Sequence, residues 1–201
     1  MASSDHFPKP DGRRDGRGVA ADELRRHNLA TVLGRLHHDG PQSRSDLTRV
    51  TGLNRSTVGD LVGELAELGL VDQAPVRVAA GRGRPSRIVS ARPAGAVALA
   101  VEISVDSLAL AAIGLGGHVF DRRRYPGTWQ DQSPGDTIQH LADLAQPMVA
   151  ALPGHTRIVG IGCGVAGVTR RSDGFLHLAP NLGWADLPLR EMLLTCFGEA
   201  A

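Results

Sequence analysis

The sequence is poor in cysteine and in aromatic side chains, and it has no long apolar run. Its two cysteines, Cys163 and Cys196, offer neither a disulfide framework nor the spacing of zinc ligands. No signal-peptide pattern is present, and no apolar run reaches the ~18 residues that a membrane-spanning helix needs. These features predict a soluble cytoplasmic protein without a metal site or a cofactor. Because aromatic residues make up only 3% of the chain, Leu, Val and Ala must fill its core.

The formal net charge is only +1 over 201 residues, which does not by itself predict a nucleic-acid partner. Residues 22–91 hold ten basic and eight acidic residues, whereas residues 92–201 hold eight and ten. Because this difference is small, an argument for DNA binding depends on where the arginines lie. The length suits one or two domains of roughly 150 residues each.

Residues 1–21 contain prolines, glycines and mixed charges and have almost nothing to bury, so they predict a disordered arm. Its arginines could instead touch phosphate. From Asp22 onward the pattern predicts a helix that ends at Gly40-Pro41, because acidic residues occupy its first turn and apolar residues repeat at helical spacing. The repeating apolar residues are Leu29, Val32, Leu33 and Leu36.

Two further helices are predicted after Pro41. Ser43, followed by Asp46 three residues later, is typical of a capping box that begins a short helix. Thr51-Gly52-Leu53 then forms a tight corner, Asn54 can cap the next helix, and Gly69 can end that helix in the left-handed conformation. The apolar stripe predicted for this third helix consists of Val58, Leu61, Val62, Leu65 and Leu68.

The first turn of the third helix carries only polar side chains, Arg55, Ser56 and Thr57. This layout is typical of a recognition helix, whose stripe packs on the helix behind it while its N-terminal residues meet bases and phosphates. An ordinary amphipathic helix with a solvated start is the alternative. The order helix, short helix, glycine turn and helix favours a helix-turn-helix.

A wing is predicted to follow the three helices. Residues 70–78 and 87–91 have strand character, and the basic segment Gly81-Arg82-Gly83-Arg84-Pro85 lies between them. Two guanidinium groups on a backbone with little bulk can enter a narrow minor groove, where the potential is most negative. A solvated hairpin tip is the alternative.

At this point the chain resembles the DNA-binding part of the ROK family of repressors and sugar kinases. The segments that carry the resemblance are the opening helix, Ser43-Arg44-Ser45-Asp46-Leu47, Thr51-Gly52-Leu53-Asn54-Arg55-Ser56-Thr57-Val58, Leu65-Ala66-Glu67-Leu68-Gly69-Leu70-Val71 and Gly81-Arg82-Gly83-Arg84-Pro85-Ser86.

The second half predicts three antiparallel strands, at 97–103, 108–113 and around 118–120. A helix over 137–152 with a kink at Pro147, a buried strand over 158–163 and a last helix over 187–197 complete the pattern. After the buried strand we expect a loop in which Gly162, Gly164 and Gly167 allow close backbone approach.

This succession resembles the first lobe of the actin-like sugar-kinase fold of the ROK family. The segments 161–168 and 179–184 resemble two segments near its sugar cleft, so Gly164, Gly167 and Asn181 are candidate sugar-cleft residues by resemblance. Trp184 could line a sugar face or pin its own loop to the core.

Kinase activity is not expected. ROK kinases carry an Asp-Gly-Gly-Thr type loop after their first strand, and this chain has Glu102-Ile103-Ser104-Val105-Asp106 at that place. A backbone without the glycine pair is a poor phosphate cradle. The catalytic Asn-Asp segment and the zinc cysteines of the family would lie beyond residue 201. A truncated product, a fragment and a divergent short form are the three explanations for that length.

Other chemistry-bearing residues predict no site. The eight histidines are scattered, and the adjacent pair His37-His38 points to different sides of a helix. Cys163 and Cys196 are expected to be small core residues, because no His and Asp arrangement accompanies them. The run Arg122-Arg123-Arg124 predicts a solvated strand edge.

We therefore predict an α+β protein: a disordered arm (1–21), a winged helix-turn-helix (22–91) and a partial actin-like, ribonuclease H-like lobe (92–201). Its function would be sequence-specific transcriptional regulation of carbohydrate-related genes, as a repressor without enzymatic activity. A ROK carbohydrate kinase and a sugar-binding interaction module are the alternatives. The partners would be double-stranded DNA, a weak or lost sugar effector and a second copy of the chain, with no membrane. The predicted DNA-binding residues are Arg44, Asn54, Arg55, Ser56, Thr57, Arg82 and Arg84.

Overall fold

The computed structural model describes residues 15–75, 87–130 and 132–198, and the side chains from Ala20 onward. Its first half contains three helices and a small antiparallel sheet of strand order β1-β3-β2. These elements are α1 (Asp15–Asp39), β1 (Gln42–Ser43), α2 (Arg44–Thr51), α3 (Arg55–Glu67), β2 (Val71–Pro75) and β3 (Arg87–Ala91). This is the element order of a winged helix-turn-helix.

Helix α1 begins at Asp15, so the predicted boundary of the disordered arm at residue 21 was wrong for residues 15–21. Helix growth is cooperative, and a helix already anchored by packing extends through good helix formers such as Ala20 and Ala21. The sequence pattern missed this extension because the extra turns carry no apolar stripe. Residues 1–14 lie outside the described part of the chain.

The predicted caps of α2 and α3 are confirmed. Ser43 Oγ accepts from Asp46 N–H at 3.1 Å and donates to the Asp46 carboxylate at 2.7 Å. The hydrogen bond from Ser43, followed by the bond from Arg49, lowers the pKa of Asp46. Asn54 Oδ1 accepts from Thr57 N–H at 2.9 Å at the start of α3, and Gly69, with φ of 73°, follows its last turn.

One face of α3 is buried against α1, α2 and the sheet, as its apolar stripe predicts. Val58, Leu61, Val62 and Leu65 are at most 2% exposed. Leu68 was wrongly included in this stripe, since it is 45% exposed. Leu68 follows Val58 by ten residues, which make about 2.8 turns at 3.6 residues per turn, so Leu68 lies at the edge of the stripe. The same cluster includes Val32, Leu36, Leu47, Val71 and Val89.

The second half contains a four-stranded sheet of order β6-β5-β4-β7 with two helices on one face. The three antiparallel strands are confirmed as β4 (Val97–Ile103), β5 (Ser107–Gly114) and β6 (Val119–Pro126), and β7 (Ile158–Val165) pairs parallel with β4. The helices are α4 (Pro134–Ala150), which runs through Pro147, and α5 (Leu189–Phe197). Both contribute to a core built mainly from Leu, Val, Ile and Ala.

Strand β7 differs from its prediction in two respects. No residue of β7 is fully buried, because the strand lies at the sheet edge and only β4 pairs with it among the described residues. Gly162 and Gly164 lie inside this strand, not in a loop, and only Gly167 has a close backbone neighbour: a Cβ there would lie 2.6 Å from Leu178 O. A strand pattern alone cannot distinguish an edge position from a central one.

A second small sheet was not predicted. It consists of β8 (Val168–Thr169), β9 (Leu176–Ala179) and β10 (Trp184–Leu187), in the order β10-β9-β8. Strands of two to four residues are too short to show alternation in a sequence. No helix in the described part of the chain is long and apolar enough to cross a membrane.

The two halves meet at close contacts within the connection 92–96 and between α1 and the turn that follows β5. A Cβ on Gly95 would lie 2.5 Å from Gly69 O, so only glycine fits there. Arg92 donates through two nitrogens to Asp72 Oδ1, at 2.6 and 3.0 Å. Near the C-terminal end of α1, His37 Nδ1 accepts from Gly116 N–H at 3.0 Å, in the turn between β5 and β6.

The Asn54 cap supports a stability prediction. We expect Asn54→Ala to lower the free energy of unfolding by about 1 kcal/mol, because it removes the acceptor for the Thr57 N–H. Urea unfolding followed by circular dichroism measures the change. Asn181→Ala is the matched control, since Asn181 is exposed in the turn Pro180–Leu182 and should change stability much less. Equal effects of the two substitutions would contradict a capping role.

Candidate nucleic-acid interface

The first turn of α3 presents its polar side chains to solvent. Asn54, Arg55 and Ser56 are exposed and Thr57 is half-buried. Ser56 Oγ donates to Asn54 Oδ1 at 2.7 Å, and the same oxygen accepts from Thr57 N–H. The side-chain oxygen Oδ1 of Asn54 is therefore occupied within the turn. Its side-chain nitrogen Nδ2 remains as the donor that can meet a ligand.

Arg55 is the exposed cation of this turn. Several other arginines of the first half form ion pairs: Arg25 with Glu64, Arg35 with Asp39, Arg49 with Asp46 and Arg92 with Asp72. Within the described ranges, Arg55 has no acidic partner. A guanidinium that is exposed and unpaired can donate to two acceptors at once without breaking an internal contact.

Arg44 has a contact that the sequence did not reveal. Its Nη2 donates to Gln73 Oε1 at 2.6 Å, and the side chain is half-buried. This bond joins the first residue of α2 to β2, so Arg44 helps to fix the strand pair relative to the helices. Its predicted contact with a phosphate remains a prediction.

Arg82 and Arg84 lie outside the described residues. Arg87, the first residue of β3, is exposed next to that segment and pairs in register with Pro75. Neither Arg87 nor the contact between Arg44 and Gln73 was predicted from the sequence. Arg87 could have been found as the next basic residue after the Gly-Arg segment, whereas the Gln73 contact depends on the tertiary fold.

The outer face of α3 changes character after its first turn. Gly59 and Gly63 leave open space on that face, and Asp60 and Glu67 are exposed acidic residues. Glu64 pairs with Arg25 of α1. Carboxylates repel phosphate, so the N-terminal turn is the part of α3 suited to a polyanion.

Comparison with known proteins agrees with this architecture. No family model matches the chain. The chain is 27% identical over 171 residues to the xylose repressor of Caldicellulosiruptor bescii and 27% identical over 172 residues to that of Bacillus subtilis. These matches cover 85% of this chain but only 42% and 44% of those repressors. The solved structure of a ROK family transcriptional regulator, a homologue of the E. coli MLC protein, superposes with a TM-score of 0.65 and 22% identity, over 88% of this chain and 44% of that one.

The chain shares its fold with this ROK family regulator. It spans less than half the length of these relatives.

The candidate sugar-cleft residues do not line the same groove beside β7 in the described part of the chain. Gly164 lines a groove of about 600 Å³ between β7, the 169–174 segment and α5, and neither Gly167 nor Asn181 lines it. Trp184 is 3% exposed and its Nε1 donates to Gln132 O at 2.9 Å, so it holds its loop against the core.

Within the described ranges, no three His, Cys, Asp or Glu side chains lie close enough together to bind one metal ion.

The turn at the place of the kinase phosphate loop is occupied by internal hydrogen bonds. Ser104 N–H donates to Ser107 O at 3.0 Å, and the Ser104 hydroxyl donates to Glu102 at 3.2 Å. Two acceptors in this turn, Val105 O and Asp106 O, take N–H groups from Trp129 and Gly127. A phosphate cradle needs several free N–H groups that point the same way, and here the N–H of Ser104 already donates within the turn.

Cys163 of β7 lines the groove beside α5, and burial raises its pKa to about 11 from an ordinary value of 9.0. At pH 8 its thiolate fraction should be about 100-fold lower than that of an ordinary thiol, because each pKa unit is tenfold. We expect Cys163 to alkylate with iodoacetamide correspondingly more slowly than free glutathione.

Mass spectrometry of the peptide that contains Cys163 gives this rate, and Cys163→Ser confirms the assignment. Alkylation as fast as that of glutathione would show an accessible, activated thiol and contradict the structural role.

Proposed function

We propose that this chain is a sequence-specific DNA-binding transcriptional regulator. The observation that carries the proposal is Arg55, which is exposed and has no acidic partner among the described residues, on a first turn of α3 that the Asn54 cap holds in order. The buried stripe of α3 leaves that turn as the exposed end of the helix. An α-helix fits the major groove, and its N-terminal residues reach the base edges.

Each polar residue of the surface has a role within this proposal. Arg55 donates through two nitrogens to a guanine, the most frequent specific contact between proteins and DNA. Ser56 and Thr57 contact phosphates or bases beside it. The contact between Arg44 and Gln73 joins α2 to β2. Arg82 and Arg84, which lie between β2 and β3 in the sequence, are the proposed contacts with the minor groove.

The names of the relatives support a proposal for which genes are regulated. The two named above are xylose repressors, so we propose repression of carbohydrate-related genes. We also propose that the chain is not an enzyme, because the turn Ser104–Ser107 contains no glycine and its Ser104 N–H already donates to Ser107 O. The alternatives are a carbohydrate kinase and a sugar-binding module, and sugar-dependent ATP consumption by the purified chain would favour the kinase.

Arg55→Ala tests the proposed base contact. A selection from random-sequence DNA with the parent chain identifies its preferred site, and fluorescence anisotropy then measures Kd on that site and on a shuffled duplex. We expect the substitution to cost about 1–3 kcal/mol on the preferred site, which is roughly 5- to 150-fold in Kd. The cost on the shuffled duplex should be smaller, because neither the parent nor the variant makes the specific base contact there.

Arg35→Ala is the matched control, since it removes the same charge from an exposed arginine that Asp39 already engages. Its effect on both duplexes should stay within about twofold in Kd, the range expected of a long-range charge effect at moderate salt. The proposed base contact is rejected if Arg55→Ala and Arg35→Ala weaken the preferred site equally. Selection that enriches no sequence would reject specific DNA binding altogether.

A further inference from the structure

The face of α3 that points away from its buried stripe carries a carboxylate one turn after the first turn of the helix. At about 100° per residue, the line directly opposite the stripe consists of Ser56, Asp60, Gly63 and Glu67. Asp60 is exposed and forms no ion pair with any described residue, whereas the neighbouring Glu64 pairs with Arg25 of α1. Asp60 is therefore the carboxylate that would enter the major groove together with the first turn.

Two glycines beside Asp60 give a partner close access to the helix backbone. A Cβ on Gly59 or Gly63 would meet nothing within 4 Å beyond the helix itself, and neither glycine has a positive φ. Packing among the described residues and backbone conformation therefore do not require glycine at these positions, although glycine is unfavourable inside a helix. The short side chain of Asp60 reaches a base edge only if the helix lies deep in the groove, and larger side chains at 59 and 63 would hinder that approach.

A carboxylate in the major groove discriminates between the bases. Cytosine presents its N4 amino group there, a donor with no acceptor beside it on the same base, whereas guanine presents N7 and O6, thymine presents O4, and adenine presents N7 beside its N6 donor. An ionised carboxylate accepts hydrogen bonds and donates none, so these acceptors repel it. It also repels the phosphates of every duplex, and a donor on the base is needed to offset that cost.

We propose that Asp60 accepts a hydrogen bond from the N4 amino group of a cytosine in the major groove and determines specificity at that base pair. The inference rests on the proposed function, in which Arg55 contacts a guanine. Asp60 follows Arg55 by five residues, about 7.5 Å along the helix axis, which is far enough for the two side chains to read different base pairs.

The experiment compares Asp60→Ala and Asp60→Asn with the parent, using the full chain throughout. Selection from random-sequence DNA gives the preferred site of each protein. Fluorescence anisotropy then gives Kd on the parent's site, on that site with the Asp60-dependent C·G pair changed to T·A, and on a shuffled duplex. Glu67→Ala is the matched control, because it removes an exposed carboxylate from the same face, seven residues farther from the first turn. Urea unfolding followed by circular dichroism confirms that each variant is folded.

We expect Asp60→Ala to weaken the parent's site by about fivefold or more, as for one lost base contact. The same substitution should tighten the shuffled duplex by roughly twofold, because it removes a charge that faces phosphates. These opposite signs distinguish a base contact from a loss of folding, which would weaken both duplexes. The change from C·G to T·A should weaken the parent at least about fivefold and Asp60→Ala hardly at all, since coupled partners are not additive.

The two remaining variants should differ in the sequences that they select. Asp60→Asn should lose the preference for cytosine at one position, with adenine favoured in its place, because an amide pairs with the N6 and N7 atoms of adenine. Glu67→Ala should select the same site as the parent.

Three results would overturn this inference while leaving the proposed function in place. The first is a parent with a preferred site in which no position loses its cytosine preference when Asp60 is replaced by Ala. The second is an Asp60→Ala variant that weakens the preferred and shuffled duplexes equally. The third is a Glu67→Ala variant that changes the selected site as much as Asp60→Ala does. A parent that enriches no sequence would remove the proposed function and this inference together.

Discussion

Burial of the apolar stripe of α3 is the interaction on which the candidate interface depends. Four side chains, Val58, Leu61, Val62 and Leu65, are almost completely removed from water. Each contributes about 1.5–3 kcal/mol, which together exceeds the ~1 kcal/mol typical of a helix cap. Packing therefore decides which face of α3 points outward, and the Asn54 cap orders the turn that packing leaves exposed. A polar first turn without this anchored stripe would have no fixed direction.

The helices of the first half are joined to the second half by short contacts. Gly69, which ends the α3 segment, lies against Gly95 so closely that a side chain at Gly95 would collide with it. Across the connection, His37 Nδ1 accepts from Gly116 N–H, which requires this nitrogen to carry no proton. The turn between β5 and β6 is thus in direct contact with the end of α1.

The sequence predicted the features that depend on neighbouring residues. Caps at Ser43 and Asn54 and the strands β3 and β4 follow from residue types at fixed short spacings, and the structure confirms them. It failed where the outcome depends on distant parts of the chain. Whether Ile158–Val165 is an edge or a central strand depends on what lies beside it, and the partner of Arg44 depends on where β2 is placed. The predicted DNA contacts of Arg55, Arg82 and Arg84 stay predictions, because they concern a molecule outside this chain.

The turn after β4 in the second half differs from a phosphate-binding loop in its residues and in its hydrogen bonds. In a phosphate loop, glycine backbones leave N–H groups free to converge on the ligand. Here the turn after β4 contains no glycine; Ser104 N–H is spent on Ser107 O, and the neighbouring carbonyls accept from Gly127 and Trp129. These bonds stabilise the β4–β5 hairpin and the segment after β6. Gly116, in the turn at the opposite end of β5, contacts His37 of α1.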